Sequence, residues 1–470
     1  MCICVLLLLG GFTFIFLGSE YLFVNRVSDF VRNDKTVILQ NYALGSSAIG
    51  FLVYSFVIRC IKVKYRDLFY LFLTLMAIIC ILIIGRHRSP VIVVAVGMTL
   101  FLLLGILGSA FHYMAAIFIE KKEELARQIG IAYAFGILLQ FFNNNLVDYE
   151  LVEAVLLSAS LAGLTLLAIK NGQKKSGSME IERKENETRA KIEPDFKRKR
   201  LAAGILLSVL VAFIAFIFST LDNAVTMAHA QGTEDIGKWP RIFLALSGVT
   251  AGFLFDIKKR KYMGTIMYCV TILSVLCIIA LNMGAPFLVG LIIFYLASGF
   301  FAVFFTTGFI EISGYMSNPA LWAGLGRAVN NMSAAVLTRC SVKVLSGGGG
   351  IAAIVFVLIL FAALSVVMNA YMTERRYIMK KSLADGGRLK QSEKFLAFSE
   401  RFALTKREQE VLSAVLTVNK SVSEVAASLA MSRTVFYRHV EHLNEQTGTR
   451  GRIGLMHFYY SWISEEDDIP

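Results

Sequence analysis

The side chains best suited to chemistry in this chain lie near its end, where residues 432–450 read SRTVFYRHVEHLNEQTGTR. Phe436, Val440, Leu443 and Thr447 recur at helical spacing and predict an inward-facing stripe. The opposite face then carries Arg433, Thr434, Tyr437, Arg438 and Glu441, with Arg450 and Arg452 just beyond. Arginine can bridge a guanine edge or a phosphate, and threonine and tyrosine hydroxyls suit backbone phosphates. Such a set fits nucleic-acid recognition.

A second set is scattered through apolar sequence. Gln140, Asn223, Arg327, Asn330 and Asn331 are polar positions inside or at the ends of long hydrophobic runs, and they are the candidate contacts for a small-molecule ligand. Arg327, in WAGLGRAVNN (322–331), either anchors an anionic ligand or pairs with a carboxylate such as Glu311. Acidic residues fall at the expected ends of spans: Glu20, Glu153, Asp222 and Glu311. None stands at a span centre, which speaks against ion-coupled transport. No cofactor and no metal is expected. The seven cysteines form no CxxC pair, and a phosphate loop, an HExxH and a nucleophile elbow are all missing, so an enzyme is not expected.

The elements that position these residues follow from composition. Of 470 residues, 56% are hydrophobic and 17% charged, below the roughly 25% charged of a soluble chain. The excess of apolar residues stops near Met372. About 20 predominantly apolar residues are needed to cross a bilayer. Twelve stretches qualify: 2–24, 37–59, 67–85, 90–119, 128–147 and 151–170, then 201–221, 240–257, 262–283, 286–312, 320–344 and 349–372. The charged segment 171–200 between the sixth and seventh is expected to be a cytoplasmic linker. Basic residues crowd the loops after even-numbered spans, among them Lys62, Lys64, Lys121, Lys122 and Lys258 to Lys261. That bias predicts a multi-pass protein of the cytoplasmic (inner) membrane with both termini in the cytoplasm.

Beyond a basic tether (373–403), capping signals mark short helices. Thr405 with Glu408 and Ser421 with Glu424 have the spacing of capping boxes, and Val411, Leu412 and Val415 form an apolar stripe. Gly448 suits a left-handed helix stop.

Two resemblances organise these readings. The six-plus-six layout of residues 1–170 and 201–372 resembles the major facilitator superfamily. GFLFDIKKRK (252–261) looks like that superfamily's loop motif, with Gly252 permitting close helix approach and Asp256 accepting from the next helix's terminus or pairing with the basic run. Residues 404–455 resemble the LuxR-type four-helix module of bacterial transcription regulators. Leu404, Thr405, Arg407, Glu408, Glu410, Val411 and Leu412 match its first helix, and Ser432, Phe436 and His439 match its recognition helix. The expected fold class is therefore all-α: a twelve-helix transmembrane bundle followed by a C-terminal four-helix helix-turn-helix domain (404–470).

What the two resemblances imply together is a one-component membrane-bound bacterial transcription regulator. Its partners would be promoter DNA, the lipid bilayer, a small-molecule ligand, and a second copy joined through the C-terminal domain. The alternative is a major-facilitator-type transporter with a C-terminal regulatory or protein-interaction domain.

Overall fold

Apolar runs bounded by proline, glycine or charge all fold as helix in this chain. The computed structural model describes residues 3–86, 89–119, 122–147, 149–192, 194–232, 240–283, 286–345, 350–416 and 422–462. In chain order the helices are α1 (Ile3–Ser28), α2 (Asn33–Cys60), α3 (Arg66–Arg86), α4 (Pro90–Phe118), α5 (Leu125–Leu146) and α6 (Glu150–Ile192). They continue as α7 (Pro194–Ala230), α8 (Pro240–Asp256), α9 (Met263–Asn282), α10 (Phe287–Ser313), α11 (Pro319–Leu345) and α12 (Gly350–Arg401). Four short ones follow: α13 (Lys406–Leu416), α14 (Val422–Ser428), α15 (Arg433–Thr447) and α16 (Gly451–Ser461). Prolines at the starts of α4, α7, α8 and α11 suit a first turn whose N–H has no intrahelical partner.

Among the described residues, ten helices are long and apolar enough to cross a membrane. The expected count was twelve. The difference lies in α8, only 17 residues long, and in α11, whose sequence is diluted by Arg327, Asn330, Asn331 and Arg339. Helix ends also run past the hydrophobic stretches. The segment expected as a linker is helical on both sides of residue 193, and α12 continues through the expected tether as far as Arg401.

The chain divides into two units, Met1–Arg376 and Tyr377–Pro470. In the first, α2 lies along α11 and α5 lies along α8. Advancing each number by six carries α2 onto α8 and α5 onto α11, so the two seams correspond to each other in chain order. Small residues make the α5–α8 seam possible. A Cβ on Gly130 would stand 2.4 Å from the Gly248 carbonyl oxygen and 2.9 Å from the Gly252 Cα, so the two backbones meet. The α2–α11 seam is pinned by amides instead. Asn41 Nδ2 donates to Asn223 Oδ1 on α7 (2.8 Å) and to Thr338 Oγ1 on α11 (2.7 Å), and Asn331 Nδ2 donates to Ser47 Oγ (2.8 Å).

The second unit has its own core of Phe398, Leu404, Val411, Leu412, Val415, Val425, Ala426, Phe436, Val440, Leu443, Leu455 and Tyr459. Thr405 and Glu408 form a capping box at the start of α13: the Thr405 N–H donates to Glu408 Oε2 (2.8 Å) and the Glu408 N–H to Thr405 Oγ1 (3.3 Å). Ser432 caps α15 by accepting from the Val435 N–H, and Gly448 ends it with φ of 67°. Ser421 lies outside the described residues.

Candidate functional site

Seven helices of the first unit enclose a cavity of about 170 Å³. Its wall draws on both halves: α1 and α2 with Tyr133 of α5 from the first, and α7, α8, α10 and α11 from the second. Aromatic rings (Phe16, Tyr133, Phe218, Tyr295, Phe301, Phe305) line it together with aliphatic side chains. The charged groups are Glu20 on α1, Asp222 on α7, Arg241 on α8 and Arg327 on α11. Both arginines are within electrostatic reach of Glu20, and Arg241 is also within reach of Asp222.

Two of these charges have defined neighbours. Gln40 Nε2 donates to Glu20 Oε1 (2.7 Å). The Arg327 guanidinium sits 5.2 Å from the centre of the Phe305 ring and 5.7 Å from that of Phe16, close enough for cation–π attraction. Its Nε is buried without a hydrogen-bond partner. Asn330 Nδ2 donates to Asn331 Oδ1 (3.0 Å), and Asn331 is tied in turn to Ser47. A guanidinium fixed by rings rather than by a carboxylate keeps donors for a ligand. Opposed acids and arginines in one cavity can hold a molecule carrying both charges.

Arg327, Asn330 and Asn331 therefore line the cavity, whereas Gln140 and Asn223 do not. Gln140 is fully buried and donates to the Leu17 carbonyl of α1 (2.8 Å). Asn223 is fully buried and accepts from Asn41. Arg327 does not pair with Glu311 either, because Glu311 is taken by Arg260 and Arg375.

Sequence reading missed Glu20, Asp222 and Arg241. It placed the first two at span ends, yet α1 runs on to Ser28 and α7 to Ala230, so both acids stand within their helices. The signal was available. Leu22, Phe23, Val24 and Val27 continue the buried face of α1 beyond Glu20, and Val225 and Thr226 do so beyond Asp222.

A charge network stands at the C-terminal end of α8. Asp256 accepts from the backbone N–H groups of Ala126 (3.1 Å) and Arg127 (2.7 Å) at the start of α5. The acceptance expected from the next helix goes instead to α5, brought alongside by Gly252 and Gly130. Arg260 donates to Asp256 Oδ1 (3.2 Å) and to Glu311 Oε1 (2.6 Å), and Arg375 donates to Glu311 Oε2 (2.8 Å). In the adjoining loop, the hydrogen bond and charge of Lys259 hold the exposed Glu123 carboxyl below the usual carboxylate range.

In the second unit Arg433, Thr434, Tyr437, Arg438 and Arg450 are exposed and Arg452 is partly so. Glu441 and Glu445 are exposed on the same helix, α15, where negative charge opposes a phosphate backbone.

No protein-family model matches the chain, and no curated protein matches it. Among solved structures it is similar to one described as the crystal structure of an auto-inhibited POT family peptide transporter. The TM-score is 0.52 at 11% identity, and the likeness covers 79% of this chain and 96% of that one. This finding overturns the expectation of a transcription regulator whose partners are promoter DNA and a DNA-bound second copy. Of the residues assigned to DNA, Arg433, Thr434, Tyr437 and Arg438 stand on α15, and Arg450 and Arg452 at the start of α16. The chain is a multi-pass membrane protein, helical in its described elements, and it shares the fold of that solved transporter.

Proposed function

We propose that this chain is a transporter of twelve membrane-crossing helices, carrying a small zwitterionic solute through the cavity between its halves. The observation that carries the reading is the cavity wall, where Glu20 and Asp222 share one space with Arg241 and Arg327. A solute with an ammonium at one end and a carboxylate at the other satisfies both pairs. Short peptides and amino acids have that chemistry, and a peptide transporter is among the solved structures of similar fold. Both termini and the 377–470 unit belong on the cytoplasmic side by the loop charges. That unit acts as a regulatory or protein-interaction module.

Transport follows from the repeat architecture. Two seams that correspond in chain order let the halves rock about a central site, exposing it to each side in turn. Binding energy from the charged ends favours a state in which both halves contact the solute. The test is uptake of labelled dipeptides and amino acids into proteoliposomes holding the full chain. Accumulation that Arg327→Leu reduces about tenfold or more is expected, since one buried charge-assisted contact contributes about 1.5–3 kcal/mol. Absence of both uptake and binding for every zwitterion tried, by protein that elutes as a folded species, would overturn the reading.

A further inference from the structure

One side of the cavity gathers acceptor groups from three helices. Gln40 is 5% exposed and lines the cavity together with Leu44, one turn further along α2. Its Nε2 is spent on Glu20 Oε1 (2.7 Å), which fixes the orientation of the amide. Gln40 Oε1 is left buried with no hydrogen-bond partner among the described residues. A buried acceptor in that state costs stability that a donor on a ligand would restore.

Asp222 is brought alongside by the residues next in sequence. Asn41 Nδ2 donates to Asn223 Oδ1 (2.8 Å), so α2 meets α7 at the position after Gln40 on one helix and after Asp222 on the other. Thr338 Oγ1 accepts from the same Asn41 nitrogen (2.7 Å) and holds that junction in place. Gln40 and Asp222 both line the cavity, and Glu20, bonded to Gln40, lies within electrostatic reach of Asp222. Glu20, Gln40 and Asp222 therefore form one cluster, drawn from α1, α2 and α7.

With the Gln40 nitrogen spent, what the cluster offers a ligand is acceptors alone: two carboxylates and an amide carbonyl. A primary ammonium carries three N–H donors, and each of the three helices supplies a group to take one. A methylated ammonium keeps the positive charge but loses one donor for each methyl. Charge alone would accept both forms; the amide oxygen favours the one with donors. Resting on the transport reading above, we propose that Glu20, Gln40 and Asp222 read the N–H groups of the solute's ammonium end. The solutes are then primary amines, and Gln40 is a specificity-determining residue.

The experiment is competition against a labelled dipeptide, or a labelled amino acid where no dipeptide binds, on detergent-purified full-length protein. The competitors are the unlabelled parent and its N-monomethyl and N-trimethyl forms. In the wild type one methyl should weaken competition several-fold. The trimethylated form, still positively charged, should compete about tenfold less well or worse. Methionine is close to glutamine in volume, so Gln40→Met keeps the space and removes the acceptor. In that variant the monomethyl form should compete as well as the parent, whereas a steric effect of the methyl group would persist. Equal competition by all three forms in the wild type, a result that needs no variant to fold, overturns the assignment and leaves the zwitterion reading standing. A Gln40→Met protein that keeps the wild-type ratio does the same. Absence of binding by every zwitterion, parent included, overturns the transport reading and this assignment with it.

Discussion

The carboxylate of Asp256 accepts a 2.7 Å hydrogen bond from the backbone N–H of Arg127, 129 residues earlier in the chain. One side chain at the end of α8 thus caps the first turn of α5, a helix of the other half. Asp256→Ala removes that cap, which contributes about 0.5–2 kcal/mol, and also strips Arg260 of a buried partner. Asp256→Asn keeps a neutral acceptor and should fall between the two. Melting temperatures in detergent check the order: wild type, then Asn, then Ala.

Glu311 joins two arginines that are themselves nearly buried, with side-chain exposures of 4% for Arg260 and 9% for Arg375. Removing its charge leaves two guanidinium groups competing for a neutral amide. Breaking a buried pair costs about 3–5 kcal/mol in soluble proteins. Glu311→Gln should therefore be among the most destabilising single changes in the membrane unit, and a larger loss than Asp256→Asn. Size-exclusion profiles after graded heating provide the measurement.

The α5–α8 seam gives a steric prediction with an internal control. A methyl group at Gly130 meets the Gly248 carbonyl at 2.4 Å, which is backbone and cannot swing aside, whereas one at Gly163 meets nothing within 4 Å. Gly130→Ala should cost about 1–3 kcal/mol by overpacking and lower the yield of folded protein. Gly163→Ala should match the wild type. Equal behaviour of the two would mean that the helices do not approach as described.

What the sequence made legible was local. The Thr405–Glu408 capping box and the Val411, Leu412, Val415 stripe depend on residues three or four apart, and both form as read. The apolar runs were readable because helix length and hydropathy are properties of a segment alone. The cavity was harder. Hydropathy marks where apolar residues stop, not where a helix stops, so Glu20 and Asp222 were taken as span ends although α1 and α7 continue. The partners of Asp256 and Glu311 lie in distant segments, and no pattern within one segment announces them. The regulator function read into the last helices has a different origin. Exposed arginine, threonine and tyrosine on α15 are what a DNA-facing helix and an ordinary solvated helix have in common.

The second unit carries a pH dependence whose sign can be worked out. Burial pushes the Glu408 carboxyl up, but hydrogen bonds from Thr405 and from His442 outweigh it and hold the group below the usual carboxylate range. A depressed folded-state value means stability that is complete above the unfolded value of about 4.3 and is lost as pH falls through the folded one. The 404–462 region should therefore lose protection against pepsin across that acid window. Glu408→Gln, which keeps an acceptor but cannot titrate, should flatten the dependence while lowering protection at higher pH.

The opposed charges of the cavity make a prediction about ligand ends. Arg327 rests on Phe16 and Phe305 with its Nε unpartnered, so its ring-side contacts orient it and its donors remain for a carboxylate. Asp222 lines the same space with Arg241 in electrostatic reach. If the solute spans the two, each charge should govern one end of it. Competition against a labelled dipeptide separates them, using analogues with the carboxylate amidated or the amine acetylated. Arg327→Leu should bind the amidated analogue about as well as the parent dipeptide, because the contact that amidation removes is already gone. Asp222→Asn should likewise make acetylation of the amine nearly neutral. In the wild type each modification should weaken competition about tenfold or more, the effect of losing one charge-assisted hydrogen bond of about 1.5–3 kcal/mol. Equal sensitivity of both variants to both modifications would show that the charges hold the cavity together and do not read the solute.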